Sequence, residues 1–245
     1  PDLMPSDVMG TNVFNPKTTS FEFRKGPVFS NIVLIDEINR APAKTQSSLF
    51  EVMEERSVTV DGTTYLLEPP FMVIATQNPI EHEGTYQLPE AQLDRFAFKL
   101  TVDYPNMEQE VEILQRHQDQ GSLHTALDAV QAVMNADMLG ELQALTTQVR
   151  TDQKLLEYIA QLIHQTRKHR GLVLGASPRG SITLLNTAKA TAALNGRDFV
   201  MPEDILQVAV PALRHRLALS AEKEMEGVQT DDIIQEIIQS MEIPR

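Results

Sequence analysis

Along this chain of 245 residues the apolar positions follow two different rhythms. Over residues 1–105 they gather in short unbroken runs; over residues 136–245 they recur every three or four positions. The runs Ile32-Val33-Leu34-Ile35 and Phe71-Met72-Val73-Ile74-Ala75-Thr76 have the length and β-branched content of strands covered on both faces, as in a parallel sheet flanked by helices. A third short strand is expected over residues 98–102. Val13-Phe14 and Phe21-Glu22-Phe23 flank a polar turn and predict a β-hairpin over residues 11–25. A second hairpin is predicted where residues 57–60 and 63–66 bracket Asp61-Gly62, because the glycine accepts the positive φ of a tight turn. Between the hairpins, Gln46, Leu49, Phe50 and Met53 follow Pro42 at helical spacing and predict a helix ending at Glu55. Residues 1–10, with two prolines and a terminal glycine, read as a loop.

The second half reads as wholly helical. Leu155, Ile159, Leu162 and Ile163 form one apolar stripe, closed by Arg167-Lys168-His169-Arg170, where cations complement the helix dipole. Ser177-Pro178 supplies a cap and a first-turn proline for a helix ending near Asn195-Gly196, Pro202-Glu203-Asp204 opens another, and Thr230-Asp231-Asp232 caps a last one. The stretch over residues 106–135, rich in Gln, His and charge and broken at Gly121, marks the junction between the halves.

Composition narrows the chemistry. Acidic residues outnumber basic ones by 34 to 21, a net charge of −13 that disfavours a phosphate backbone as partner. There is no cysteine, hence no disulfide or thiolate chemistry, and no apolar run approaches the length of a membrane span. Residues 1–10 carry neither the basic cap nor the apolar core of a signal peptide, so a cytosolic home is expected. No HExxH and no Cys/His ligand cluster is present; of the six histidines, His164, His169 and His215 are expected at solvent or at a helix interface.

One feature of the strand pattern points to a reaction. The run over residues 32–35 ends in Asp36-Glu37, and ligands of parallel sheets bind beyond the carboxyl ends of the strands. In a nucleotide hydrolase the acid nearest the strand holds magnesium, and its neighbour orients or polarises the attacking water. The second run likewise ends in Gln77-Asn78-Pro79, which places an amide beside the acids. On residue chemistry alone, Asn78 before Pro79 also suits a turn, Arg95 a local pair with Asp94 or Glu90, and Arg179 a solvated first-turn position.

The stretch from Gly26 to Gly62 (GPVFSNIVLIDEINRAPAKTQSSLFEVMEERSVTVDG), ATQNP at residues 75–79 and LPEAQLDRF at residues 88–96 resemble the MoxR family of AAA+ ATPases, more loosely continued by SPRGS, PEDI and LRHRL. The resemblance implies an α/β fold: a partial AAA+ P-loop NTPase core, with a parallel sheet, helices and two inserted hairpins directed toward a ring's pore, followed by an all-α lid. It implies ATP and magnesium as ligands. Asp36 then supports the metal, Glu37 activates water, Asn78 places that water, Arg95 is the finger reaching a neighbouring subunit's nucleotide, and Arg179 is the lid's sensor arginine. The implied partners are the chain's own copies in a ring, expected as a hexamer, and a protein carrying a von Willebrand factor A domain, with no nucleic acid and no direct membrane insertion. The implied work is chaperone-like remodelling or metal insertion; a chelatase-type motor subunit and a nucleotide-free binding scaffold are the alternatives.

The family's phosphate-cradling G-x-x-x-x-G-K-[ST] is absent from these residues, since no glycine here precedes a lysine. GASPRGS at residues 175–181 has the glycine spacing, but it places serine at the lysine position and follows helical sequence. The resemblance puts that loop upstream of residue 1, so the expectation is a chain truncated at its N-terminus, inactive by itself. In the family's sheet order, 5-1-4-3-2, the missing strand would lie between the runs over residues 71–76 and 98–102. Unpaired edges and exposed apolar surface are expected there.

Overall fold

A computed structural model describes residues 3–78, 88–120 and 130–244. The chain opens with a short helix, α1 (Pro5–Met9), where the sequence suggested a loop. Pro5 takes the first helical position, and the Asp7 carboxylate accepts the Met4 N–H at 2.8 Å, so a single turn is closed at its start. Gly10 then turns directly into a strand with φ of +104°, and a Cβ there would collide with the Arg24 carbonyl.

Both predicted hairpins form. Strands β1 (Gly10–Asn15) and β2 (Ser20–Lys25) pair antiparallel, as do β4 (Ser57–Val60) and β5 (Thr63–Leu66), with Asp61 and Gly62 at φ of +49° and +80° in the turn. The hairpins also join each other. Phe23 stacks on Tyr65 with ring centroids 4.1 Å apart, and Asn12 Nδ2 donates to Asp61 Oδ2 at 2.6 Å.

Strands β3 (Ile32–Ile35) and β6 (Met72–Ala75) lie side by side in parallel, Ile32 opposite Met72 through Ile35 opposite Ala75. Helix α2 (Ala43–Glu55) buries Leu49 and Val52 with Met9, Val28, Val58 and Leu67, and it buries Phe50 with Ile38 and Leu88; Ile35 packs against both groups. The expectation that both strands would be covered on two faces does not hold among the described residues. The pleat turns alternate side chains to opposite sides, so Val33 is buried while Ile32, Leu34, Met72 and Ile74 remain open to solvent.

The third expected strand is also absent. Residues 98–102 join no ladder, and Lys99 N–H instead donates to the Pro211 carbonyl at 2.9 Å. Apolar, β-prone sequence becomes a strand only where a neighbour supplies ladder partners, and here Leu100 and Val102 stay exposed. A short helix, α3 (Glu90–Leu93), precedes this segment, and α4 (Met107–Gln120) follows it with its described side chains exposed. The break expected at Gly121 lies outside the described residues.

The helical half contains α5 (Ala136–Gln148), α6 (Gln153–Lys168), α7 (Pro178–Leu194), α8 (Pro202–Leu213), α9 (Ala221–Met225) and α10 (Thr230–Ser240). Its core is continuous: the α6 stripe meets Leu184 and Ala188 of α7, Ile205, Ala209 and Leu213 of α8, and Ile233 and Ile234 of α10, most of them fully buried. Asp152 caps α6 and Ser177 caps α7 through side-chain oxygens that accept backbone N–H groups. Two details depart from the sequence reading. A two-stranded ribbon, β7 (Leu172–Leu174) with β8 (Ala218–Leu219), interrupts the helices. The cap of α10 is Gln229 rather than Thr230, with Asp232 accepting the Gln229 N–H at 2.9 Å, while Asp231 pairs with Arg214. No described helix is long and apolar enough to cross a membrane.

Candidate functional site

The parallel register sets the site. Because Ile35 lies opposite Ala75, the next residue on each strand, Asp36 and Thr76, fall side by side at the carboxyl ends. The Thr76 hydroxyl donates to Asp36 Oδ1 at 2.5 Å and accepts the Glu37 N–H at 2.8 Å, so one side chain fixes both acidic residues. Main-chain bonds tighten the same joint: Thr76 N–H donates to the Ile35 carbonyl, and Ile38 N–H to the Thr76 carbonyl. Sequence reasoning missed Thr76. Its signal was the matching final step of the two apolar runs.

Glu37 adopts the left-handed conformation, with φ of +49°, which costs a non-glycine residue on the order of 1 kcal/mol. The chain thereby turns sharply off β3 into a short 3-10 turn over residues 38–40. In that turn Arg40 holds Glu37 Oε2 at 2.7 Å, and the buried Asn39 donates from Nδ2 to the Asn78 carbonyl at 3.2 Å. Asp36, Glu37 and Asn78 therefore belong to one joint.

The two arginines form a second group. Arg95 follows α3, and Arg179 occupies the second position of α7; both guanidiniums pair with the Glu54 carboxylate near the end of α2. Arg95 is thus held by Glu54, not by Asp94 or Glu90. Asp94 is engaged elsewhere, accepting Ser177 Oγ at 2.8 Å and Arg216 Nε at 2.8 Å. Glu54 gave no sequence signal, because its two partners lie 41 and 125 residues away.

The acidic tip suits a hard cation. Magnesium is commonly held by one or two carboxylates, with waters and substrate phosphates filling the remaining positions, and the exposed Asp36 beside Glu37 and the Thr76 hydroxyl offers such oxygens. The described residues contain no cluster of three or more His, Cys, Asp or Glu side chains able to cage a metal by themselves. The donor set fits an ion shared with a ligand.

Comparison with known proteins places the chain in a family. The protein YeaC of Bacillus subtilis, itself uncharacterized, is 48% identical over 244 residues, covering all of this chain and 75% of YeaC. The chaperone MoxR1 of Mycobacterium tuberculosis is 41% identical over 254 residues, covering all of this chain and 66% of MoxR1. The chain belongs to the MoxR family of AAA+ ATPases. Residues 1–98 match the ATPase family associated with various cellular activities, and residues 164–237 match the AAA lid domain. A crystal structure from Cytophaga hutchinsonii, assigned as an ATPase, shares 42% identity with this MoxR chain and superposes with a TM-score of 0.90, covering all of the chain and 76% of the solved one. Magnesium-chelatase subunits are more distant relatives. The fold is accordingly an AAA+ ATPase domain followed by its lid.

Proposed function

We propose that this MoxR chain carries the metal-and-water half of an ATP-hydrolysing site, in subunits that assemble as a ring and use hydrolysis to remodel a partner protein. The observation that carries this reading is the Thr76 clamp, which presents Asp36 and Glu37 together at the ends of two parallel strands. Asp36 would hold magnesium, which would supply positive charge against the charge that develops on the phosphates. Glu37 orients a water and accepts its proton; its fixed backbone limits the directions its carboxylate can take. Asn78, tied to the same joint through Asn39, positions that water. Arg95 answers transition-state charge in a neighbouring subunit, and Arg179 supplies a second cation from the lid.

The loop that cradles the phosphates in the family is not among these 245 residues. Calorimetry on the 245-residue chain is expected to show no tight magnesium-ATP binding. In the full-length gene product, Glu37→Gln is expected to retain ATP binding and to lose turnover about a hundredfold or more. Unchanged turnover in that variant overturns the reading. The remodelling role rests on relatedness to MoxR1, a chaperone, and the family resemblance alone suggests the partner, a protein with a von Willebrand factor A domain. Capture of such a protein by the ATP-trapped Glu37→Gln form, above the wild-type background, is the outcome that supports it; no enrichment argues against it.

A further inference from the structure

Arg95 reaches its place from a segment that the lid holds on both sides. Arg216, just past α8, has a side chain only 2% exposed, yet it sends its donors out of the lid and into residues 94–97. Nε donates to Asp94 Oδ1 at 2.8 Å, and Nη2 donates to the Asp94 carbonyl at 3.0 Å and the Phe96 carbonyl at 2.8 Å. Nη1 donates to the Ala97 carbonyl at 3.3 Å. The same guanidinium is anchored within the lid on Thr183 Oγ1 of α7 and the Ala212 carbonyl of α8. His215 adds Nε2 at 3.0 Å from the Phe96 carbonyl, and Ser177, two residues before Arg179, donates to the other oxygen of Asp94.

A buried ion pair is a poor device for stability alone, because well-packed apolar side chains of similar volume do as well or better. What a guanidinium adds is direction: a planar fork of five donors that fixes several acceptors at once. Here the acceptors flank Arg95 and omit it, leaving that side chain directed at Glu54. We propose that Arg216 is a positioning residue that sets the reach of Arg95 from the lid, so that a shift of α7 and α8 moves Arg95 and Arg179 together. This rests on the reading of Arg95 as a residue of the hydrolysis site.

The test uses the full-length gene product and measures ATP turnover in Arg216→Lys, Arg95→Ala and the double variant, with thermal melting as the fold control. Lysine keeps the charge but loses the fork. Arg216→Lys is expected to lower kcat about tenfold or more with KM for ATP nearly unchanged, and to add nothing in the Arg95→Ala background. A melting-competent Arg216→Lys with wild-type kcat, or losses that multiply in the double variant, overturns the positioning role while leaving the hydrolysis reading intact. Wild-type kcat in Arg95→Ala overturns the role given to Arg95, and the proposal with it. Should Arg216→Lys fail to fold, Asp94→Asn takes its place, with a smaller loss of kcat expected and the same absence of any further loss on Arg95→Ala. Wild-type turnover in Asp94→Asn likewise overturns the proposal.

Discussion

The two halves of this chain solve burial differently. The lid interlocks α6, α7, α8 and α10 around side chains such as Leu162, Leu184, Ile205 and Leu213, none of them accessible to solvent. Among the described residues, the α/β half packs α2 on one side of a two-stranded parallel pair and leaves Ile32, Leu34, Met72 and Ile74 uncovered. Such a pair is marginal without support. The carboxylates that would do chemistry stand on the less-buried half, at strand ends tied by a single threonine. The lid, by contrast, supplies rigidity to the arginine segment through Arg216. Chemistry and packing are divided between the halves, and the contacts around residues 94–97 are where one borrows from the other.

The sharpest test of that contrast is truncation of apolar side chains. In the 245-residue chain, Leu162→Ala or Ile205→Ala is expected to cost about 3–4 kcal/mol in the lid, whereas Leu34→Ala on the open strand face should cost below about 1 kcal/mol. Urea unfolding followed by circular dichroism, with hydrogen exchange to localise the loss, reads both. Equal costs would erase the distinction.

A second test acts on the seam between the halves. Burial first, and then the Arg216 charge, push the His215 pKa down from 6.5 to about 4. The folded state therefore holds this histidine neutral while the unfolded chain protonates it below 6.5. Stability is complete above that value and is lost as pH falls from 6.5 toward 4, by about 3 kcal/mol at most. The expected sign is a falling urea midpoint across that window, with a shallower fall in His215→Gln. A midpoint independent of pH there would mean that the seam tolerates a second buried cation beside Arg216.

The smallest effect is expected at the hairpins. Asn12→Ala removes one exposed hydrogen bond to Asp61 and should cost below about 1 kcal/mol, while raising hydrogen exchange in β1 and β5 together if the two hairpins behave as one body. Faster exchange confined to β1 would show that they are independent.

What the sequence disclosed was local. Asp61-Gly62, Ser177-Pro178 and the stripe from Leu155 to Ile163 each carry their information within a few residues, and each element forms as read. Asp36-Glu37 was legible for the same reason, as a charge pair at the end of an apolar run. Thr76, Glu54 and Arg216 were not, because their meaning lies in partners 40 to 125 residues away. Residues 98–102 show the converse failure: their pattern is strand-like, but a ladder is a property of two segments. The β7–β8 ribbon, two to three residues per strand, is too short to leave a period in the sequence.

The joined hairpins have a mechanical consequence. Asn12 and Asp61, 49 residues apart in the chain, are bridged directly, and the Phe23–Tyr65 stack braces the same two arms. Between these cross-links the chain runs through β3, the Asp36-Glu37 corner and α2, so the hairpins and the strand–helix unit make a closed truss, not two loose levers. Tension applied at either tip is shared by both arms and delivered to the two ends of the segment that carries the acids and Glu54.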